Sequence, residues 1–367
     1  MLQARRIGKE LYVGVHSDEE ILVNKGPTVM MLDERLVAVE ACKWCTKPIP
    51  NAPYVTDPKV MDRYGCKYVV HGDDITTDAN GEDCYRDVKN LGRFIVVKRT
   101  PNISTTDLVG RMLLAQKTHH ILSINNKDWD SYQLGKNNNV NKLLDKDSSI
   151  RFKNYASAKD GKSLNSLVLI NTSEKKLYEY IKPSLEVSNR IKNGVYFIDG
   201  GFDLFNPGHI EALRLLREKA SNYNYSVIVG LHDDLCVNEN KGLNYPIMNL
   251  LERSLCVLQC KYVDGIVLGS PYIPDENFIN NLNNQLYGGK ILKVFHGPTS
   301  ELNKDNLNPY HNIRHLYSNL GPHKYDNIST EVIVSRVLHN REAYEERQRK
   351  KGWKSEIERK LQMEESN

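Results

Sequence analysis

The sequence predicts an α/β protein made of two tandem copies of one parallel-sheet unit, the first lacking its N-terminal strand. Three observations predict it: a colinear internal repeat, apolar strands alternating with amphipathic helices inside each copy, and polar glycine turns where those strands end.

The repeat fixes the architecture. Val13-Gly14-Val15-His16-Ser17-Asp18 reappears as Val229-Gly230-Leu231-His232-Asp233-Asp234, and Asn24-Lys25-Gly26 as Asn240-Lys241-Gly242, both displaced by 216 (229 − 13). Glu34-Arg35, Cys42-Lys43 and Pro53-Tyr54 return as Glu252-Arg253, Cys260-Lys261 and Pro271-Tyr272, displaced by 218 (252 − 34). His71-Gly72 and Ile103-Ser104-Thr105 return as His296-Gly297 and Ile328-Ser329-Thr330, displaced by 225 (296 − 71). Small loop insertions account for the steps. In the first copy the pattern predicts strands at Leu11 to Val15, Tyr68 to His71 and Phe94 to Val97, and a helix after Leu32. Turns such as His71-Gly72-Asp73-Asp74 fall at carboxyl strand ends, where open α/β sheets hold their ligand crevice.

These patterns divide the chain into a first domain at 1–116, a linker at 117–190 rich in Asn, Lys, Asp and Ser, a second domain at 191–340 and a charged helical tail at 341–367. Residues 195 to about 212 have no counterpart before Met1, so the first domain is expected to be incomplete and its sheet to expose apolar edges.

A length of 367 residues allows two cores. Lys plus Arg total 50 against 46 for Asp plus Glu, too near balance to argue for a nucleic-acid or anionic-membrane partner. The start has no signal-peptide core, and no stretch approaches the roughly 18 apolar residues of a membrane span, so a cytoplasmic location without stable membrane insertion is expected. Seven cysteines do not form a disulfide framework. Cys42 and Cys45 find no second pair to complete a zinc set and read as small residues on a helix face; no metal site is expected. His16 and His232 read as structural, and Trp44 and its equivalent Tyr262 as core.

Chemistry concentrates where the strand from Val195 to Ile198 runs into Asp199-Gly200-Gly201-Phe202-Asp203-Leu204-Phe205-Asn206-Pro207-Gly208-His209-Ile210 and a helix begins. Such a turn lets backbone N–H groups approach a phosphate while the helix N-terminus supplies partial positive charge. This stretch resembles the glycine-rich and HxGH signature of the cytidylyltransferase group of nucleotidyltransferases, written here Asn206-Pro207-Gly208-His209. In that group two imidazoles flank the nucleotide phosphates; here the first is an amide, which donates a hydrogen bond without charge. The group's other motifs follow in order as Lys241-Gly242, Glu252-Arg253, Ser270-Pro271-Tyr272, His296-Gly297, Ile328-Ser329-Thr330-Glu331 and Arg336. The first copy carries Lys25-Gly26, Glu34-Arg35, His71-Gly72-Asp73-Asp74, then Arg99 through Ser104, Thr105 and Thr106, and Arg111. The stretches Tyr54 to Pro58 and Asp78 to Tyr85 resemble the ethanolamine-phosphate enzymes in particular, in which this copy is the expected catalytic one. Leu2 to Arg6 resembles the helix that follows HxGH.

The resemblance implies two Rossmann-like nucleotidyltransferase domains that convert CTP and phosphoethanolamine into CDP-ethanolamine and pyrophosphate, with Mg²⁺ accompanying CTP, in phosphatidylethanolamine biosynthesis. It assigns catalytic work to His209, Asn206, Lys241, Arg253, Lys25 and Arg35. Nucleotide binding falls to Gly200, Gly201, Phe202, Gly208, His296, Gly297, Ile328, Ser329, Thr330 and Glu331, with His71, Asp73, Arg99, Ser104, Thr105 and Thr106 in the first copy. Assembly as a homodimer or an intramolecular pseudo-dimer is left open. Two alternatives stand beside this reading. One is a non-catalytic nucleotide-binding form, since the first domain begins past its motif and the second bears Asn206. The other is a choline-phosphate enzyme, set aside by the tandem repeat and the lack of a lipid-binding helix.

Overall fold

The computed structural model describes residues 1–74, 76–98, 105–122, 145–172, 174–298 and 307–346. It divides into two compact units, the first made of Met1–Glu40, Trp44–Leu113 and the chain from Ile333, the second of Ala41–Lys43 and Leu114–Val332. Among the described residues no helix is long and apolar enough to cross a membrane, and all seven cysteines are free thiols.

The first unit runs α1 (Leu2–Ile7), β1 (Tyr12–Val15), α2 (Asp18–Lys25), α3 (Leu32–Ala41), β2 (Lys47–Pro50), α4 (Pro58–Arg63), β3 (Val69–Gly72), α5 (Arg86–Asn90), β4 (Phe94–Val97) and α6 (Thr105–Leu114). Its strands form two separate parallel pairs, β1 with β2 and β3 with β4. Among the described residues no strand joins β1 to β3. The exposure follows, since β3 has no buried residue and Gly14 of β1 faces solvent. Trp44, Cys84 and Val88 are buried, and Arg336 makes a two-pronged ion pair with the buried Glu34 at 2.7 and 2.8 Å.

The second unit contains α7 (Lys146–Tyr155), β5 (Leu167–Asn171), β6 (Leu177–Ile181), α8 (Leu185–Asn193), β7 (Val195–Gly200), α9 (Pro207–Ser221), β8 (Ser226–Leu231), α10 (Asp234–Lys241), α11 (Leu250–Leu258), β9 (Gly265–Leu268), α12 (Glu276–Asn284), β10 (Ile291–His296) and β11 (Tyr317–Asn319), and holds the start of α13 (Thr330–His339). Seven strands form one sheet in the order β11-β10-β7-β8-β9-β5-β6, parallel except for the β5–β6 pair. All residues of β8 and β9 are buried, as strands covered on both faces must be, and both read as near-continuous apolar runs. Helix α9 turns Ile210, Leu213, Leu216 and Ala220 to the interior, the stripe expected of an amphipathic helix. The core gathers Leu169, Phe197, Ile228, Val267, Ile279 and Ile313, each worth about 1.5–3 kcal/mol on burial.

Strand β7 lies between β8 and β10, so the chain reverses its direction of winding there. A crevice outside the carboxyl end of β7 is the geometric result.

The segment 117–190, expected as a linker, mostly builds the second unit instead. β5 docks in parallel on β9, β6 pairs antiparallel with β5, and α7 and α8 bury Phe152, Val187 and Ile191 completely. Dilution by Asn and Lys hides the short apolar run Leu167-Val168-Leu169-Ile170, which strand pairing with β9 rescues. Asn137-Asn138-Asn139 lies outside the described residues; of the expected tail, 341–346 is helical and 347–367 lies outside them.

Candidate functional site

The glycine turn after β7 is held by its own acidic residue. Phe202 and Leu204 both take positive φ (50° and 43°), an uncommon backbone for residues with a side chain, and Asp203 between them is buried. Its carboxylate accepts from the backbone N–H groups of Leu204 (2.9 Å), Ile247 (2.7 Å) and Met248 (2.9 Å), and its carbonyl accepts from the Thr330 hydroxyl (2.8 Å). The turn, the 246–248 loop and the start of α13 are thereby tied together. Gly208 is required by a close approach, since a Cβ there would meet the Ile328 carbonyl oxygen at 2.4 Å.

A cavity of ≈ 420 Å³ opens at this junction. Of the residues expected in the second copy, Gly200, Gly201, Phe202, Gly208, His209 and Lys241 line it, as do His296, Gly297, Ile328, Ser329, Thr330 and Glu331. Asn206 and Arg253 do not. His209 sits in the first turn of α9, its ring stacked on Phe205 (5.9 Å, 5°) and tilted against Phe202 (5.3 Å). Loss of water, reinforced by Lys241, lowers its pKa to about 3. Asn206 donates its backbone N–H to His209 Nδ1 at 3.3 Å, so the neutral ring carries its proton on Nε2.

Asn206 itself is fully buried as the cap of α9. Its side-chain oxygen accepts from the N–H groups of Gly208 (2.9 Å) and His209 (3.3 Å), in a capping box with His209. Capping uses the side-chain oxygen of Asn206, while its buried Nδ2 has no partner.

Arg253 likewise differs from the expected phosphate clamp. It is wholly buried, pairs with the equally buried Asp234 at 2.7 Å, and donates to the carbonyls of Met248 (3.0 Å), Gly201 (2.5 Å) and His232 (2.8 Å). Arg35 repeats this with Met30 (3.1 Å), His16 (2.8 Å) and Asp18 (2.6 Å), the equivalent residues of the first copy. Both guanidiniums staple the loop behind their strand. Arg253→Met is expected to destabilise the protein by about 3–5 kcal/mol, because it strands a buried carboxylate and three carbonyls, and the denaturant midpoint measures it.

Lys241 ends α10 with Nζ 2.6 Å from Glu331 Oε1, and Ser329 Oγ accepts from the N–H of Val332 to open α13. His296 closes β10 with Nδ1 3.0 Å from the Gly297 carbonyl.

Among the lining residues that escaped the sequence reading, Asp199, Tyr310 and His232 matter most for charge and hydrogen bonding. Asp199, at the end of β7, accepts a hydrogen bond on Oδ1 from the Tyr310 hydroxyl (2.6 Å), while its buried Oδ2 has no partner. Burial raises its pKa to about 7 against the Tyr310 hydrogen bond that lowers it. Tyr310 comes from a loop without a motif. His232, read as structural, also faces the cavity; Nδ1 lies 2.9 Å from the Ser270 carbonyl and burial lowers its pKa to about 4. The signal for Asp199 was its position, a carboxylate inside an apolar strand directly before the glycines.

The first copy repeats parts of this geometry. His16 Nδ1 lies 2.9 Å from the Ala52 carbonyl with its ring 5.0 Å from Tyr54, matching His232, Ser270 and Tyr272. Lys25 Nζ is 5.7 Å from the Tyr54 ring centre, and His71, next to last in β3, has its ring 4.7 Å from Tyr85. Asp73 is exposed in the following turn, and Thr105 and Thr106 begin α6. Arg99 and Ser104 lie outside the described residues. Cys42 falls just past α3 rather than on its face, buried opposite Cys260.

A switch-point crevice lined by a glycine turn, a helix-start histidine and a lysine defines a nucleotidyltransferase-type site, and the chain matches the Cytidylyltransferase-like family over residues 1–111 and 197–333. It is 38% identical to the ethanolamine-phosphate cytidylyltransferase of Dictyostelium discoideum over 95% of this chain and 88% of that one. It is 37% identical to the Mus musculus enzyme of the same name, over 95% and 84%. Similarity to the probable choline-phosphate cytidylyltransferase of Schizosaccharomyces pombe covers 30% of this chain, at 35% identity. The chain belongs to the ethanolamine-phosphate cytidylyltransferase family.

Proposed function

We propose that the chain transfers the cytidylyl group of CTP to phosphoethanolamine, giving CDP-ethanolamine and pyrophosphate for phosphatidylethanolamine synthesis, and that the second-unit cavity does this work. One observation carries the proposal: His209, Lys241 and the start of α13 line the same cavity as Asp199, a buried carboxylate with one oxygen lacking a partner. The first group suits phosphates. The second suits the ammonium of a small zwitterion, with the rings of Tyr272 and Tyr310 beside it.

The phosphate oxygen of phosphoethanolamine attacks the α-phosphorus of CTP, a new P–O bond forms, and the bond to the β-phosphate breaks with pyrophosphate leaving. No covalent enzyme intermediate is needed. His209 donates its Nε2–H to phosphate oxygen, Lys241 supplies positive charge, and the glycine turn lets the nucleotide come close. Mg²⁺ enters only on the triphosphate, where it would neutralise phosphate charge. The protein's own donors do not fit a resident ion: Asp203 is committed to three backbone N–H groups and Glu331 to Lys241, and among the described residues no group of three or more His, Cys, Asp or Glu could hold a metal. No step is derived through the ion.

A nucleotide-binding, non-catalytic role is the second reading, favoured by the capping role of Asn206. Incubating the full chain with CTP, Mg²⁺ and either phosphoethanolamine or phosphocholine separates the readings. CDP-ethanolamine is expected to form, with phosphocholine turned over at least about tenfold less efficiently because three added methyl groups block hydrogen bonding to Asp199. CTP binding without product would favour the second reading. Subcellular fractionation and light scattering test the proposed cytoplasmic location and the homodimer or pseudo-dimer.

A further inference from the structure

Glu331 stands where the repeat has Thr106 (331 − 106 = 225), and it is ion-paired with Lys241, the equivalent of Lys25. Both residues line the cavity, and Lys241 is the sole lysine or arginine among its described lining residues. Of the four histidines that line the cavity, burial favours the neutral form of His209, His232 and His323. Lys241 is thus the lining side chain that brings a permanent positive charge to a phosphate. Yet its ammonium already has a carboxylate at 2.6 Å, presented from the first turn of α13, where the helix itself favours an anion. Burial acts to raise the pKa of Glu331, but the hydrogen bond and charge of Lys241 outweigh it and hold the group ionised. The pair is 41% and 51% exposed, open enough to water to be broken by an entering ligand.

We propose that Glu331 is a built-in counter-anion that occupies Lys241 in the empty cavity, so that a phosphate group must displace it, and that it thereby sets how tightly the cavity holds polyphosphate ligands. The carboxylate resembles a phosphate oxygen in charge and place. It lowers affinity for CTP twice over, by competing for the ammonium and by repelling the triphosphate. It also keeps Lys241 extended across the gap between α10 and α13, which makes Glu331 a positioning residue rather than a catalytic one. The inference rests on reading this cavity as the nucleotide site.

The test is calorimetric titration of the full chain with CTP in Mg²⁺ and, separately, with cytidine, which has no phosphate to compete for Lys241. Glu331→Gln and Glu331→Thr are each expected to tighten CTP about tenfold, the effect of removing one like charge at close range, while cytidine changes by less than about twofold. In a Lys241→Met background the gain from Glu331→Gln should vanish, as a double-mutant cycle requires of groups that act through each other. CTP affinity unchanged or weakened in both folded variants would overturn the proposal, as would an equal gain without Lys241. If the unaltered chain bound cytidine and CTP nowhere, the nucleotide reading itself would fall and take this inference with it.

Discussion

Replacing Asp199 with asparagine is expected to lower kcat/KM for phosphoethanolamine by about 10²–10³-fold, while the Kd for CTP stays within about twofold. The magnitude is that of a buried carboxylate losing its ionic partner, about 3–4 kcal/mol. Asparagine keeps the shape and can still accept the Tyr310 hydrogen bond, so the fold survives. What it cannot do is offer a charged oxygen to an ammonium group. In the ligand-free cavity Asp199 Oδ2 is buried without a partner, and burial moves the pKa from 3.8 to about 7. Between those values the folded protein holds a proton that the unfolded chain gives up. The stabilising contribution of this group is thus complete below the lower value and is lost as pH rises through about 7. Binding of the amine runs the other way, because it needs the ionised form. The KM for phosphoethanolamine should therefore fall as pH is raised from about 5.5 to about 8, and the part of that fall which does not follow the substrate's own phosphate ionisation at about pH 6 should disappear in Asp199→Asn. A flat KM profile in the unaltered protein would mean that the amine lies elsewhere.

The repeat made most of this fold legible, because each strand of the first copy has a partner in the second and the glycine turns mark their ends. Phe94–Val97 is a strand over the residues the alternation predicts, and Val195 to Ile198 needed only two more residues. The edge of the second sheet was hidden for a physical reason. β5 and β6 gain their stability from hydrogen bonds to β9 and to each other, and no local signal reports such long-range pairing. Arg35 and Arg253 were misread for a related reason. A cation next to a glycine turn suits a phosphate or a ring of carbonyls equally well, and only the fold brings Met248, Gly201 and His232 around one guanidinium. Asn206 was visible as a departure from two imidazoles, but its use as a helix cap depends on backbone geometry that the letters do not carry.

His209→Ala carries the sharpest consequence for where the chemistry occurs. It is expected to reduce kcat by about 10²–10³-fold, the usual effect of removing one preorganised donor from developing negative charge, with CTP affinity altered by less than about fivefold. The ring is neutral in the empty cavity and its Nδ1 is taken by the Asn206 N–H, so only Nε2–H points outward to do work. A neutral donor has one advantage here. It binds the triphosphate ground state weakly and strengthens its hydrogen bond as charge builds on the phosphate oxygens, which lowers the barrier rather than deepening the bound state. Entry of the triphosphate raises the pKa of a ring held near 3 by burial and by Lys241, and the partial proton sharing that follows is largest when pyrophosphate departs. Because the group is neutral in the ligand-free protein throughout the physiological range, kcat/KM for CTP should show no ionisation of His209 between about pH 6 and 8. Single-turnover measurements with His209→Ala decide the matter: a lost chemical step assigns the reaction to the second unit, and an unchanged one moves it to the first.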